Sequence, residues 1–168
     1  MDDINLRLIK ALNSQKIYNK LGLAAIRIMR KRTRESRDVK GQQFELYSRG
    51  YAAKRKRAGL ANPAKVTMEF SKTGGMLAAI DYEVFEVLGD QDEFGYAEVS
   101  IKDPLKAQLA YYHNISGAGK GRVIREFWGI ELDEEITQLE TLANKEARDV
   151  LIKEIGDILA DFDKQSEG

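Results

Sequence analysis

The sequence IDYEVFEVLGDQDEFGYAEVSI, residues 80–101, is the clearest indication of β-structure in this chain. Its two ends carry the β-branched and aromatic residues that strands favour, and residues 89–95 between them are rich in Gly and Asp, which favour turns. We therefore predict an antiparallel hairpin over about residues 80–101. A hairpin alone is unstable in water, so this one must pack against helices or further strands.

Helical spacing dominates both ends of the chain. Apolar residues recur every three or four positions over Ile4–Leu12 and again over Ile17–Ile28, and Asn13 and Ser14 between them predict a break. Near the other end the same spacing predicts a long acidic helix over about residues 132–163, with carboxylates in its first turn and Asn144 as a candidate break.

Shorter elements fill the middle of the chain. Asp103 followed by Pro104 predicts a helix start, and Leu105, Leu109 and Tyr112 form the apolar stripe of that helix. Residues 65–70 and about 122–128 are candidate strands. The predicted fold class is α+β, as one domain over residues 1–168. A helical basic arm (about 1–58) and an acidic helix (about 132–163) flank a core (about 59–130) with a small antiparallel sheet.

Composition excludes several classes of function. The 168 residues include no Cys and one His, so disulfides, thiol nucleophiles, zinc–thiolate sites and two-histidine metal motifs are excluded. No apolar run approaches the roughly 20 residues of a membrane helix, and the acidic N-terminus does not resemble a secretory signal. We expect a protein of a reducing cytosol that has no cofactor and no membrane partner.

Charge is separated along the chain although the formal net charge is zero. Residues 27–57 hold 12 Lys and Arg against 3 Asp and Glu, and residues 126–168 hold 4 against 13. Such a distribution concerns partners rather than fold. The basic segment can face nucleic acid, or it can face the acidic segment of a neighbouring copy in a head-to-tail ring.

Candidate sites of chemistry are weak. The loop GAGKGR, residues 117–122, resembles a phosphate-binding loop, but its Gly-Lys lacks the following Ser or Thr and the loop follows a predicted helix. His113 has no obvious carboxylate to orient it as a general base, and we expect a structural or surface role for it. No catalytic constellation is found, and we predict that the chain is not an enzyme.

The basic segment, residues 27–57, is a better candidate for a functional site than the loop 117–122 or His113. Its cations could contact nucleic-acid phosphates or a channel, and we single out eight of them: Arg30, Lys31, Arg32, Arg34, Lys54, Arg55, Lys56 and Arg57. The interleaved Phe44, Tyr47 and Tyr51 could stack on bases, but their spacing of three and four residues favours a core stripe.

Three segments together resemble the bacteriophage virion morphogenesis (tail-completion) protein family. The first runs from Gly41 through Phe44 and Tyr51 to Lys54. The second is SKTGGMLAAI, residues 71–80. The third runs from Ala110 through a Gly-rich loop to Arg125-Glu126-Phe127-Trp128-Gly129. The motif positions are Phe44, Tyr51, Gly74, Leu77, His113, Arg125, Trp128 and Gly129.

This resemblance implies a non-enzymatic virion component that completes the tail or joins head to tail. It implies a homo-oligomeric ring in the neck, adjacent neck, connector or tail proteins as partners, and assembly in the host cytoplasm. The motif positions would then be structural, and a basic surface would face packaged DNA. The alternative is a small cytosolic nucleic-acid-binding protein that uses residues 27–57.

Overall fold

A computed structural model describes residues 2–60, 75–85 and 95–166. In this part of the chain helices and one hairpin follow each other in the order α1 (Asp2–Leu12), α2 (Gln15–Arg34), α3 (Arg49–Arg57), α4 (Gly75–Ala78), β1 (Ile80–Phe85), β2 (Tyr96–Ile101), α5 (Pro104–Tyr111) with a π-helical turn (Tyr112–Ser116), and α6 (Asp133–Ser166). The α+β class is confirmed.

The N-terminal break lies where the sequence predicts it. Helix α1 ends at Leu12, and α2 begins at Gln15 after Ser14, whose extended backbone (φ −84°, ψ 134°) turns the chain. Asn13 helps to fix this corner, because its side-chain Oδ1 accepts hydrogen bonds from Tyr18 Oη (2.8 Å) and from the backbone N–H of Gly95 (2.8 Å).

The hairpin is confirmed in its two strands. β1 and β2 pair antiparallel, with Ile80 opposite Ile101 and Phe85 opposite Tyr96. Along β1 exposed residues alternate with Ile80, Tyr82 and Val84, as expected for a sheet with one face covered. The predicted strand residues Val87 and Leu88, most of the turn and the candidate strand 65–70 lie outside the described residues.

Helix α2 covers that face of the sheet and sits centrally, because it packs on both strands and on α6. The approach is close at Gly22, where an added Cβ would lie 2.5 Å from Cδ2 of Tyr82. A glycine therefore serves packing here. The buried core joins residues from α2, the loop before α3, α4, β1 and the segment before α6: Ile26, Met29, Phe44, Met76, Leu77, Ile80 and Phe127.

The predicted strand at about residues 122–128 is wrong. Val123 forms only an isolated bridge with Ala118, and among the described residues the sheet has two strands. The segment satisfies its backbone groups with several separate parts of the chain instead of one strand: Arg125 N–H donates to the carbonyl of His113 (2.6 Å), and the carbonyl of Glu126 accepts from Val39 N–H (2.8 Å).

Helix α6 is a single 34-residue helix, ~51 Å long, that passes through Asn144 without interruption. Its first half packs near α2, and α1 packs against its second half. Arg7 of α1 fixes the second contact, since it donates to Glu154 (2.8 Å) and to Asp161 (3.0 Å).

Candidate functional site

Three cations of the basic segment bind groups inside their own subunit. Arg32 is buried, with 3% of its surface exposed. Its guanidinium pairs with the Glu135 carboxylate and donates to the backbone carbonyls of Phe127 and Gly129 (both 2.8 Å). The prediction that Arg32 faces nucleic acid or a channel is therefore wrong. It joins α2, the segment before α6 and the first turn of α6.

Arg30 also acts inside the subunit. Its side chain is half-buried and donates to the carbonyls of Leu77 (2.8 Å), Ala78 (3.1 Å) and Ile80 (2.8 Å). These carbonyls lie at the end of the short helix α4 and the start of β1, where intrahelical partners are missing. Arg30 therefore caps backbone carbonyls of its own subunit, and its channel-facing role stays a prediction.

Arg55 is the third cation that binds inside its own subunit. It is buried (3% exposed) and lies over the ring of Tyr47, 4.9 Å from the ring centroid, and 6.0 Å from that of Tyr51. Such stacking stabilises a guanidinium out of water, so its predicted exposure is wrong. Phe44 is a core residue and Tyr47 packs against the core, as the core-stripe interpretation requires, but Tyr51 is 39% exposed.

Five of the eight predicted cations remain at the surface. They are exposed, and we call them the outer cations: Lys31, Arg34, Lys54, Lys56 and Arg57. The last three lie on α3, a helix with four cations in its last turn and no acidic residue. The outer cations, together with the exposed Arg27, Lys40 and Arg49, are the part of the basic segment that can meet a partner.

Four carboxylates of the acidic helix pair with cations from the N-terminal part of the chain. Besides the Arg32–Glu135 pair and the two contacts of Arg7, Lys20 pairs with the buried carboxylate of Glu146. The Lys20 ammonium lowers the pKa of Glu146. Folding therefore places Arg7, Lys20 and Arg32 beside carboxylates of α6, and of these three cations only Arg32 belongs to the basic segment.

The three segments of the family resemblance meet in one core. Phe44, Leu77 and Phe127 come from the first, second and third segments and belong to the same buried cluster. Trp128 packs against that cluster, and Gly129 adopts φ 115°, a backbone conformation that favours glycine. Gly74 lies outside the described residues.

Arg125 links the third segment to the first. Its buried guanidinium donates to the carbonyl of Glu45 (2.9 Å from Nη2) and lies 5.1 Å from the Tyr47 ring centroid. Burial lowers the pKa of Arg125, and Tyr47 and Glu45 partly oppose this. Tyr47 thus contacts both Arg55 and Arg125.

His113 is placed as a neutral structural residue. Burial, with a smaller contribution from Arg125, lowers its pKa to about 4. Its Nδ1 is buried and has no hydrogen-bond partner. The loop 117–122 beside it closes on itself through Ala118 and Val123. Extended chain rather than a helix follows this loop, so it lacks the helix N-terminus of a phosphate-binding loop.

Apolar residues at the surface were missed by the sequence interpretation. The stripe Leu105, Leu109 and Tyr112 points outward and is 43–74% exposed, and α5 has no buried residue. Beside it, β2, α5 and Trp128 line an open apolar groove of about 320 Å³. The sequence shows the apolar stripe of α5 but not the direction in which the stripe points.

The described ranges contain neither a metal site nor a membrane-spanning helix. In the described ranges no group of three or more His, Asp or Glu side chains is placed to hold a metal ion. No helix there combines the length and the apolar character that crossing a bilayer requires. Comparisons with protein-family models, curated proteins and solved structures found no match to this chain.

Proposed function

We propose that this chain is a non-enzymatic subunit of a bacteriophage virion, located in the neck or tail, where copies form a ring that completes the tail or joins head to tail. Adjacent connector or tail proteins would be its other partners, and the ring would assemble in the host cytoplasm. The family resemblance supplies the biological setting, and the surface of the subunit supplies the physical argument for assembly.

The observation that carries the proposal is the amount of apolar surface that one subunit leaves uncovered. Among the described residues, eighteen large hydrophobic side chains are exposed and eleven hydrophobic residues are buried. Single exposed apolar residues are normal, but contiguous apolar surface is characteristic of interaction sites. Two such surfaces occur on α5: Leu105 and Leu109 are exposed along one side, and the exposed Tyr111 and Ile115 line the apolar groove.

Charge supports a head-to-tail arrangement of the copies. Exposed cations lie at the end of α3, among them Lys56 and Arg57. Exposed carboxylates remain at the start of α6, among them Asp133, Glu134 and Glu140. A ring repeats a contact between two different surfaces, and opposite charges on those surfaces fix the register and speed association.

A second candidate function rests on α3. Lys54, Lys56 and Arg57 are exposed within one helical turn of each other and no carboxylate lies in that helix. Such a patch suits phosphate contact without sequence recognition. In a ring it would face packaged DNA; in a free protein it would make the chain a nucleic-acid binder.

The test of the subunit proposal compares two pairs of substitutions in the phage that encodes the chain. Leu105→Asp with Leu109→Asp places two charges on the apolar surface of α5. Thr137→Asp with Thr141→Asp places the same charges, with the same spacing, on exposed positions of α6. We expect the leucine pair to abolish infectious particles and the incorporation of the chain into virions, and the threonine pair to leave both near wild type.

Two outcomes would contradict the proposal: purified virions without the chain, or neighbouring reading frames that encode no capsid, portal or tail-tube protein. DNA titration separates the alternative. A free nucleic-acid binder loses affinity steeply as salt rises, and Lys54→Glu with Lys56→Glu then removes binding. The free ring subunit is expected to show little such affinity.

A further inference from the structure

The second half of α6 has an apolar face that nothing in the described chain covers. Ile152, Ile155, Leu159 and Phe162 follow each other at steps of three, four and three residues, so they line one side of the helix. They are 47–59% exposed. We call these four residues the α6 stripe.

The α6 stripe is distinct from the face that packs on α1. On that other face Ile158 is buried, and Glu154 and Asp161 hold Arg7 of α1. A helix with one apolar face toward its own subunit needs no second one. The α6 stripe therefore suits a contact with another helix.

Gly156 lies beside the stripe, and the fold of one subunit gives no reason for it. A Cβ added there would meet nothing within 4 Å, and the residue does not adopt a positive φ. Glycine inside an exposed helix costs about 1 kcal/mol relative to alanine. A glycine at this position is useful where a second backbone approaches closely.

We propose that the α6 stripe binds the α6 stripe of a second copy of this chain, in an antiparallel pair whose twofold axis passes between Ile155 and Gly156. In this register Ile152 faces Leu159 of the second copy, so apolar side chains meet across the contact. Each Gly156 lies opposite Ile155 of the other copy and makes room for it.

Charge selects the antiparallel orientation. Arg148 and Asp163 are exposed at the two ends of the stripe and lie equally far from the proposed axis, so each faces the other across the antiparallel pair. A parallel pair would instead place Arg148 against Arg148 and Asp163 against Asp163, and like charges in contact disfavour association.

The contact spans about 16 residues of helix, ~24 Å, which is smaller than a typical stable interface. We therefore expect a dissociation constant no stronger than the micromolar range. The pair does not depend on the proposed ring, because a ring uses head-to-tail contacts whereas this contact joins identical surfaces. If the chain forms this dimer but is absent from virions, the ring proposal is contradicted and the dimer proposal is not.

Sedimentation of the purified full chain at about 1–200 µM tests self-association, the range following from the expected micromolar constant. We expect a monomer–dimer equilibrium. Ile155→Asp should weaken it about a hundredfold or more, because the change occurs twice per dimer. The matched control Thr141→Asp adds the same charge to α6 outside the stripe and should leave the equilibrium unchanged.

Gly156→Ala separates the contact from folding. In one subunit the added methyl group lies in open space and favours the helix. The midpoint temperature of thermal unfolding, measured at low protein concentration, should therefore rise by about 2–4 °C. In the dimer it crowds the crossing, and we expect association to weaken about tenfold or more. An unchanged dimer would overturn the proposed register.

Cysteine cross-linking tests the orientation, since the chain has no native cysteine. Ile155→Cys should form a disulfide with the same position of the second copy. Asp157→Cys, on the opposite side of α6, should not. Arg148→Cys and Asp163→Cys should each remain uncross-linked alone, with like positions ~22 Å apart, and should cross-link when mixed. A chain that stays monomeric at 200 µM, or that cross-links through each of positions 148 and 163 alone, overturns the proposal.

Discussion

Replacing Arg32 by alanine should destabilise the subunit far more than replacing its neighbour Lys31. The buried guanidinium has three partners: the Glu135 carboxylate and the carbonyls of Phe127 and Gly129. Arg32→Ala leaves a buried carboxylate and two buried carbonyls without that donor. Removing one member of a buried ion pair costs about 3–5 kcal/mol, which is a large part of the 5–15 kcal/mol typical of folded domains.

Urea unfolding followed by circular dichroism at pH 7 measures this loss as a lower midpoint at constant slope. Lys31→Ala is the matched control, because Lys31 is exposed in the same helical turn, and it should change the free energy of unfolding by no more than about 0.5 kcal/mol. The double variant Arg32→Met with Glu135→Leu removes both charges and should be less destabilised than Arg32→Ala alone. Equal midpoints for Arg32→Ala and Lys31→Ala would refute the structural role of Arg32.

Two further predictions concern packing and pH. Gly22→Ala should lower the free energy of unfolding by about 1–3 kcal/mol although alanine favours helices, because its Cβ would lie 2.5 Å from Cδ2 of Tyr82; a gain in urea stability would contradict this. His113 has a folded pKa of about 4, below the 6.5 of the unfolded chain, which therefore binds the proton more tightly. Stability should fall by up to about 2–3 kcal/mol as the pH drops from 6.5 toward 4. His113→Gln should reduce the slope of urea stability between pH 6.5 and 5, and an unchanged slope would exclude His113 as its source.

The helices and the hairpin were predictable because their signals are local. The break at Asn13 and Ser14, the two strands, the Asp103–Pro104 helix start and the continuous periodicity of α6 all depend on residues within a few positions of each other. Asp103 shows this directly, since its side chain accepts from the N–H of Leu105 (3.0 Å) at the start of α5. Such interactions form within one turn of the chain.

Local signals did not predict that residues 122–128 form no strand, or which cations of the basic segment are buried. Residues 122–128 have strand-like composition, but their backbone groups bond to Val39 and to the neighbouring residues His113 and Asn114, which lie on two separate parts of the chain. Arg32 and its neighbour Lys31 are alike in sequence, yet Arg32 reaches a carbonyl 95 residues away while Lys31 faces water. Burial of a cation depends on acceptors that distant segments bring to it.

The amino-acid order alone thus determined the helices and the hairpin, the absence of thiol chemistry and the opposite charge of the two ends. Folding determined which of those charges form ion pairs inside the subunit and which apolar residues are exposed. Periodicity shows that a helix has an apolar side, as on α5 and on α6, but the direction of that side depends on what packs against it. That is why the surfaces proposed here for assembly became visible only once the chain was folded.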